Sequence, residues 1–146
     1  MGENYRAIAP EAIKKLIELS ALLHKSSLPA SLIDLVYLRV SQLNGCAYCV
    51  DSHAKDLLAA GEKPRRLYDL TVWRETAFFT PQERAALAWA EAMTTLASGQ
   101  PPETLHEETR RRFSEKEFVD LTFAIAAINA LNRVGVGFRM QPQPSD

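Results

Sequence analysis

"DLVYLRVSQLNGCAYCVDSH", residues 34–53, holds an apolar run, an Asn-Gly stop, two cysteines three positions apart and a histidine four positions further on. Leu32, Ile33, Leu35, Val36, Leu38, Val40 and Leu43 put apolar side chains on most sides of a helix. Such a helix opens at Pro29, is ended by Asn44-Gly45 as its C-cap, and belongs deep in the fold. The next helix begins near Cys46 and stops at Gly61. Both sulfurs then lie in or beside its first turn, where unpaired N–H groups and the positive end of the dipole stabilise a thiolate. Cys49 and His53, four apart, share one helical face, so the imidazole can take the Cys49 proton. Cys46 is close enough to Cys49 for a small-loop disulfide.

Three readings of this pair follow from the residues. It is a redox centre, a pair of packed thiols, or part of a zinc site in which Cys46, Cys49 and His53 supply three ligands where zinc takes four. A thioredoxin fold is disfavoured because no βαβ pattern accompanies the motif. Redox chemistry on a helical scaffold leads. Asp34 sits among Leu32, Ile33, Leu35 and Val36, where a carboxylate is costly unless it is paired. Pattern alone leaves open an exposed edge, a buried ion pair, or a place facing His53.

The remaining chain reads as helix throughout, with no alternating strand pattern. Pro10 to His24 carries Ile13, Leu16, Ile17, Ser20 and Leu23 on one stripe. A short helix runs from Pro64 to about Val72. Thr80-Pro81-Gln82-Glu83 combines an N-cap, a proline at N1 and a capping-box glutamate, starting a helix to about Ala97. Another spans Glu103 to Arg112. Ser114 with Glu117 makes a second capping box before a long alanine-rich helix to about Val134. Residues 1–146 form one all-α domain, a helical bundle with its core over about 10–139 and a loose polar tail from Gln141 to Asp146.

The 146 residues are enough for a real core, and 47% are hydrophobic. Seventeen basic against 18 acidic side chains leave a formal charge of -1, which creates no field to attract nucleic acid or an anionic membrane. The first residues lack the apolar segment of a signal peptide and the Ser or Thr at position 6 that myristoylation takes. The most apolar stretch, Leu121 to Leu131, is too short to span a bilayer. A soluble, cytoplasmic protein is expected, and there a close cysteine pair is catalytic or metal-binding rather than a structural staple. Arg110-Arg111-Arg112 lies between acidic residues and reads as a solvated face. Asn129, Asn132 and Arg133 read as hydrogen bonders across helices or subunits, or as pocket lining, the structural role leading; Trp73, Phe78, Phe79 and Trp89 read as core or interface, and Tyr48 as a border of the substrate entrance. His24 and His106 have no partner spacing and receive no role.

Residues 34–53, with "VWRETAFFTPQERAALAWAEAMT" (72–94) and "DLTFAIAAINALNRVGVGFR" (120–139), resemble the AhpD-like alkylhydroperoxidases of the carboxymuconolactone decarboxylase superfamily. The resemblance covers about Leu28 to Arg139. It implies an all-helical fold assembled as trimers or hexamers, and reduction of organic or hydrogen peroxides by the thiol pair. By position, Cys49 would be the peroxidatic thiol, Cys46 the resolving thiol, and His53 part of the proton relay. The relay's acidic member, normally a glutamate twelve positions before the first cysteine, falls on Asp34, one methylene shorter (46 − 12 = 34). Tyr48 stands where the prototype has a histidine. The resemblance implies no metal, haem or flavin; a protein or small dithiol would restore the pair. Three rival readings remain: a lactone decarboxylase, against which the cysteine pair argues, a non-enzymatic oligomeric thiol sensor, and a zinc-binding structural module.

Overall fold

The computed structural model describes residues 4–144. Eight α-helices occur among them: α1 Tyr5–Ile8, α2 Pro10–His24, α3 Ala30–Asn44, α4 Ala47–Ala59, α5 Pro64–Tyr68, α6 Pro81–Thr94, α7 Glu103–Arg112 and α8 Glu115–Gly137. No strand occurs among the described residues. α3 is the central element and packs against α4, α6 and α8. Its two sides serve different clusters. Ile33, Val36, Tyr37 and Val40 join α2, α6 and α8 residues such as Trp89, Leu121, Ile125 and Ile128. Leu35 and Leu38 join Leu57, Leu70, Trp73 and Leu87. Each wholly enclosed Leu, Ile or Val contributes about 1.5–3 kcal/mol, so burial on both sides fixes α3 more firmly than any cap could.

The connection from α3 to α4 has no spare residue. Gly45, at φ 68°, adopts the left-handed conformation that a side chain disfavours. The Gly45 N–H donates to the Gln42 carbonyl at 3.3 Å and the Cys46 N–H to the Ser41 carbonyl at 3.1 Å, which together make a Schellman motif. Cys46 is also the N-cap of α4: its carbonyl accepts from Val50 N–H at 2.9 Å, and its sulfur accepts from Cys49 N–H at 3.4 Å. One residue thus closes one helix and opens the next.

α8 holds this turn from behind. Asn44 Nδ2 donates to Asn129 Oδ1 and Asn132 Oδ1, both at 3.0 Å. Asn132 Nδ2 donates to Ser41 Oγ at 2.9 Å. Both asparagines thus hydrogen-bond across helices, one of the roles expected of them, whereas Arg133, grouped with them, donates to Asn129 of its own helix. Gly135 of α8 then faces the sulfurs. A Cβ built there would lie 2.6 Å from Cys46 Sγ and 3.3 Å from Cys49 Sγ, whereas one at Gly137 meets nothing within 4 Å.

Several boundaries differ from expectation. Beyond Tyr68 the chain tightens into a 3-10 segment, Asp69–Glu75, kinked at Val72. Leu70 and Trp73, one on each side of that kink, are both buried. α6 ends at Thr94 rather than Ala97, and a 3-10 turn covers Leu96–Ser98. α8 continues to Gly137 and is long and apolar enough by composition to cross a bilayer. Here it is a core helix, burying Leu121, Ala124, Ile125 and Ile128. Both capping boxes are present, on Thr80/Glu83 and Ser114/Glu117. Trp73, Phe79 and Trp89 are buried, as a core role requires. Of the tail expected to be loose, Gln141 to Pro144 has neither helix nor strand, and residues 145 and 146 lie outside the described residues.

Gly45→Ala should cost about 1–2 kcal/mol through left-handed strain alone. Gly135→Ala should cost about 1–3 kcal/mol by overpacking onto the sulfurs. Gly137→Ala should be neutral or stabilising, because alanine is the better helix former by about 1 kcal/mol. Urea unfolding midpoints of the three variants against the parent check this ordering.

Candidate active site

Cys46 and Cys49 are joined in a disulfide, with Cα atoms 5.3 Å apart. Cys46 is 2% exposed and Cys49 7%, but the two are not equivalent. Gly135 backs Cys46 directly, whereas Cys49 opens on a cavity of about 270 Å³. One wall comes from the first turns of α4, with Tyr48, Ser52 and His53 beside Cys49; Tyr48 thus borders this space, as expected. The facing wall is apolar, with Ile13 and Ile17 of α2 and Ile128, Leu131 and Val134 of α8. Tyr5 and Met140 close one side, bringing α1 against the end of the chain. Tyr5 Oη donates to Met140 Sδ at 3.1 Å, and the Tyr5 ring stacks on Phe138 at 4.8 Å.

His53 follows Cys49 by one turn on the same face of α4, and both line the cavity. Burial pushes its pKa below the ordinary 6.5, against the opposing pull of Asp34 and Asp56; nearby His24 adds to the lowering. The imidazole is therefore held neutral and able to accept a proton. Its Nδ1 is buried without a hydrogen-bond partner among the described residues.

The structure places Asp34 differently from a direct His53 partner. Asp34 Oδ1 lies 2.6 Å from His24 Nε2, and no hydrogen bond joins Asp34 to His53 among the described residues. His24 Nδ1 in turn lies 2.8 Å from the Ser20 carbonyl. A carbonyl only accepts, so Nδ1 carries a proton; a second, shared proton occupies the Nε2 contact with the carboxylate. The hydrogen bond to Asp34 raises the His24 pKa above 6.5, outweighing desolvation. His24 is also the last residue of α2, where the helix dipole favours a cation.

Tyr37, wholly enclosed, stands edge-on to both imidazoles, with ring centroids 5.2 Å from His24 and 5.2 Å from His53. Burial raises its phenol pKa, with the nearby Ser20 hydroxyl opposing; its Oη has no hydrogen-bond partner among the described residues. The site thus gathers Cys46, Cys49 and His53, with Asp34 acting on His53 through charge. It also contains His24 and Tyr37, which spacing did not reveal. The ten-residue gap between His24 and Asp34 crosses a loop and matches no helical period.

Among the described residues no three His, Cys, Asp or Glu side chains converge as a metal site. Arg110, Arg111 and Arg112 are exposed, and Arg111 pairs with Glu107 at 3.3 Å. His106 packs edge-on against Trp89 and Phe118.

Comparison with known proteins places this site in a family. The sequence pattern of the Carboxymuconolactone decarboxylase family matches residues 10–92. The uncharacterized protein YdfG of Bacillus subtilis is 37% identical over 133 residues, covering 91% of this chain and 90% of its own length. A crystal structure from Agrobacterium tumefaciens, of a protein of unknown function suggested to be an antioxidant defence protein AhpD, is 41% identical. It superposes with a TM-score of 0.93 over 97% of both chains. An uncharacterized peroxidase-related protein from Ralstonia eutropha, with an alkylhydroperoxidase AhpD core, shares the fold at a TM-score of 0.82. It is 22% identical over 94% of this chain and 74% of its own. The chain belongs to the carboxymuconolactone decarboxylase family, on its AhpD-like branch.

Proposed function

We propose that the protein is a thiol-dependent peroxidase that cycles Cys46 and Cys49 between dithiol and disulfide. The observation that carries this reading is the disulfide at the start of α4, whose Cys49 shares an apolar cavity with a buried, neutral His53. In the reduced protein His53 takes the Cys49 proton, and the amides of the first α4 turn stabilise the thiolate. The thiolate attacks the O–O bond of a hydroperoxide. Oxygen transfer leaves Cys49 as sulfenic acid, and the alkoxide departs as an alcohol after taking a proton from His53. Cys46 thiol then condenses with the sulfenic acid, releasing water and forming the disulfide. An external dithiol returns two electrons and two protons by exchange at Cys49, the sulfur open to the cavity.

The Ile13, Ile17, Ile128, Leu131 and Val134 wall favours organic hydroperoxides over hydrogen peroxide, because an alkyl body gains by leaving water there. Assembly into the trimer or hexamer that the resemblance implies belongs to the same reading. Val119 and Phe123, exposed on one face of α8, are where a second copy would bury apolar surface.

The decisive experiment is steady-state reduction of cumene hydroperoxide with dithiothreitol as donor. Cys49→Ser should abolish turnover. Cys46→Ser, oxidised before any dithiothreitol is added, should form one sulfenic acid per chain and no disulfide. A Cys49→Ser protein that cycles at the parental rate overturns the proposal. A thiol sensor would instead oxidise once without rapid cycling and change its mass on a sizing column.

The pH dependence follows from His53. Because its pKa lies below 6.5, kcat/KM should hold through neutral pH and fall only on the acid side of 6.5, as the imidazole protonates and can no longer accept. His53→Gln should lower kcat/KM about a hundredfold, the scale of a lost general base, and remove that acid limb. A pH–rate series on parent and variant checks both.

A further inference from the structure

His24 and Asp34 form a half-buried pair that the mechanism above does not use. Four observations bear on it. The Nε2–Oδ1 separation is 2.6 Å, the range of a proton shared between charged partners. Nδ1 is committed to the Ser20 carbonyl, which fixes the ring's orientation. The pair is largely enclosed, with side-chain exposure of 28% for His24 and 15% for Asp34. The Tyr37 ring touches both imidazoles edge-on, so the His24–Asp34 pair and the His53–Cys49 pair occupy one continuous cluster.

We propose that His24 is a positioning residue of the thiol site, holding the Asp34 carboxylate by a shared proton so that the pair's net charge governs when His53 can take the Cys49 proton. Aspartate is one methylene shorter than glutamate, and in this chain its carboxylate is occupied by His24. Asp34 therefore acts on His53 across space rather than through a bond. With His24 protonated, its cation partly offsets the pull of Asp34 at His53, and burial keeps His53 neutral. Without His24 the Asp34 charge is unopposed and draws a proton onto His53.

The other groups facing this cluster are few. Asp56 of α4 acts on both histidines. Tyr37 and Ser20 are neutral. Tyr5, Arg6 and Tyr48 line the adjoining cavity. None of these contacts the shared proton. The rate readout rests on the peroxidase reading; the titration of His53 does not, so the two can fail separately.

The test is a histidine NMR titration of the full-length reduced protein, in parent, His24→Gln, Asp34→Asn and the double variant. Glutamine keeps a donor for Asp34 but no charge. In His24→Gln the His53 midpoint should rise by at least about half a pH unit, the smaller end of what a neighbouring charge does. In Asp34→Asn it should fall, and the His24 midpoint should fall with it. Asp34→Asn removes the largest support for the His24 charge, so adding His24→Gln to it should move His53 less than His24→Gln does in the parent. This is non-additivity of the kind that marks coupled residues. The acid limb of kcat/KM should move in the same direction as His53 in each variant, and His24→Ala should lose more activity than His24→Gln. A role confined to stability would lower the unfolding midpoint and leave His53 unmoved. A His53 titration in His24→Gln superimposable on the parent, or simple additivity in the double variant, overturns the proposal. A parent without peroxide turnover overturns the proposed function instead, while the titration still decides this one.

Discussion

Cys46 belongs to two helices at once, and the site follows from that constraint. As the residue after Gly45 it completes the Schellman closure of α3, donating its N–H to Ser41. As the N-cap of α4 it accepts from Cys49 N–H. Shifting it by one residue would break one set of bonds or the other and leave several buried backbone groups unpaired, each costly. The first cysteine of the pair is thus also the corner of the backbone. The Asn44–Asn129–Asn132–Ser41 bonds and the bare face of Gly135 then clamp this corner to α8.

The electrostatics of the site result from burial competing with three nearby charges. For His53 desolvation wins and the ring stays neutral. For His24, less enclosed and directly bonded to a carboxylate, the hydrogen bond wins and the pKa rises. Two imidazoles on either side of one tyrosine ring are therefore shifted in opposite directions. A neutral acceptor next to a thiol and a charged pair one ring away is an arrangement suited to controlling a proton.

Membership of the carboxymuconolactone decarboxylase family accounts for the scaffold, and the AhpD-like structures share its helix order and shape. Family and fold do not by themselves specify chemistry. The debrominase Bmp8 shares this fold with a TM-score of 0.83 at 21% identity, so one bundle holds more than one reaction. The chemistry of this chain rests on its own residues: Cys49 of the disulfide and His53 on the cavity, and an aspartate bonded to His24.

Much of the fold was legible in particular residues. The apolar character of 32–43 required a buried helix, because no rotation of it could expose a polar face. Asn44-Gly45, Thr80-Pro81 and Ser114 marked boundaries through local hydrogen bonding, which depends only on near neighbours in sequence. Cys49 and His53 were legible for the same reason: i and i+4 share a face in any helix. The 3-10 tightening after Tyr68 was not, since it arises from fitting Leu70 and Trp73 into a core shaped by other helices. The sequence by itself determined the helices, their caps and the thiol–imidazole pair. Only the tertiary structure decided that Asp34 meets His24, that Tyr37 joins the two histidines, and that α8 must be bare at Gly135. Each of these contacts joins different elements, and its geometry is set by how the helices pack rather than by spacing along the chain.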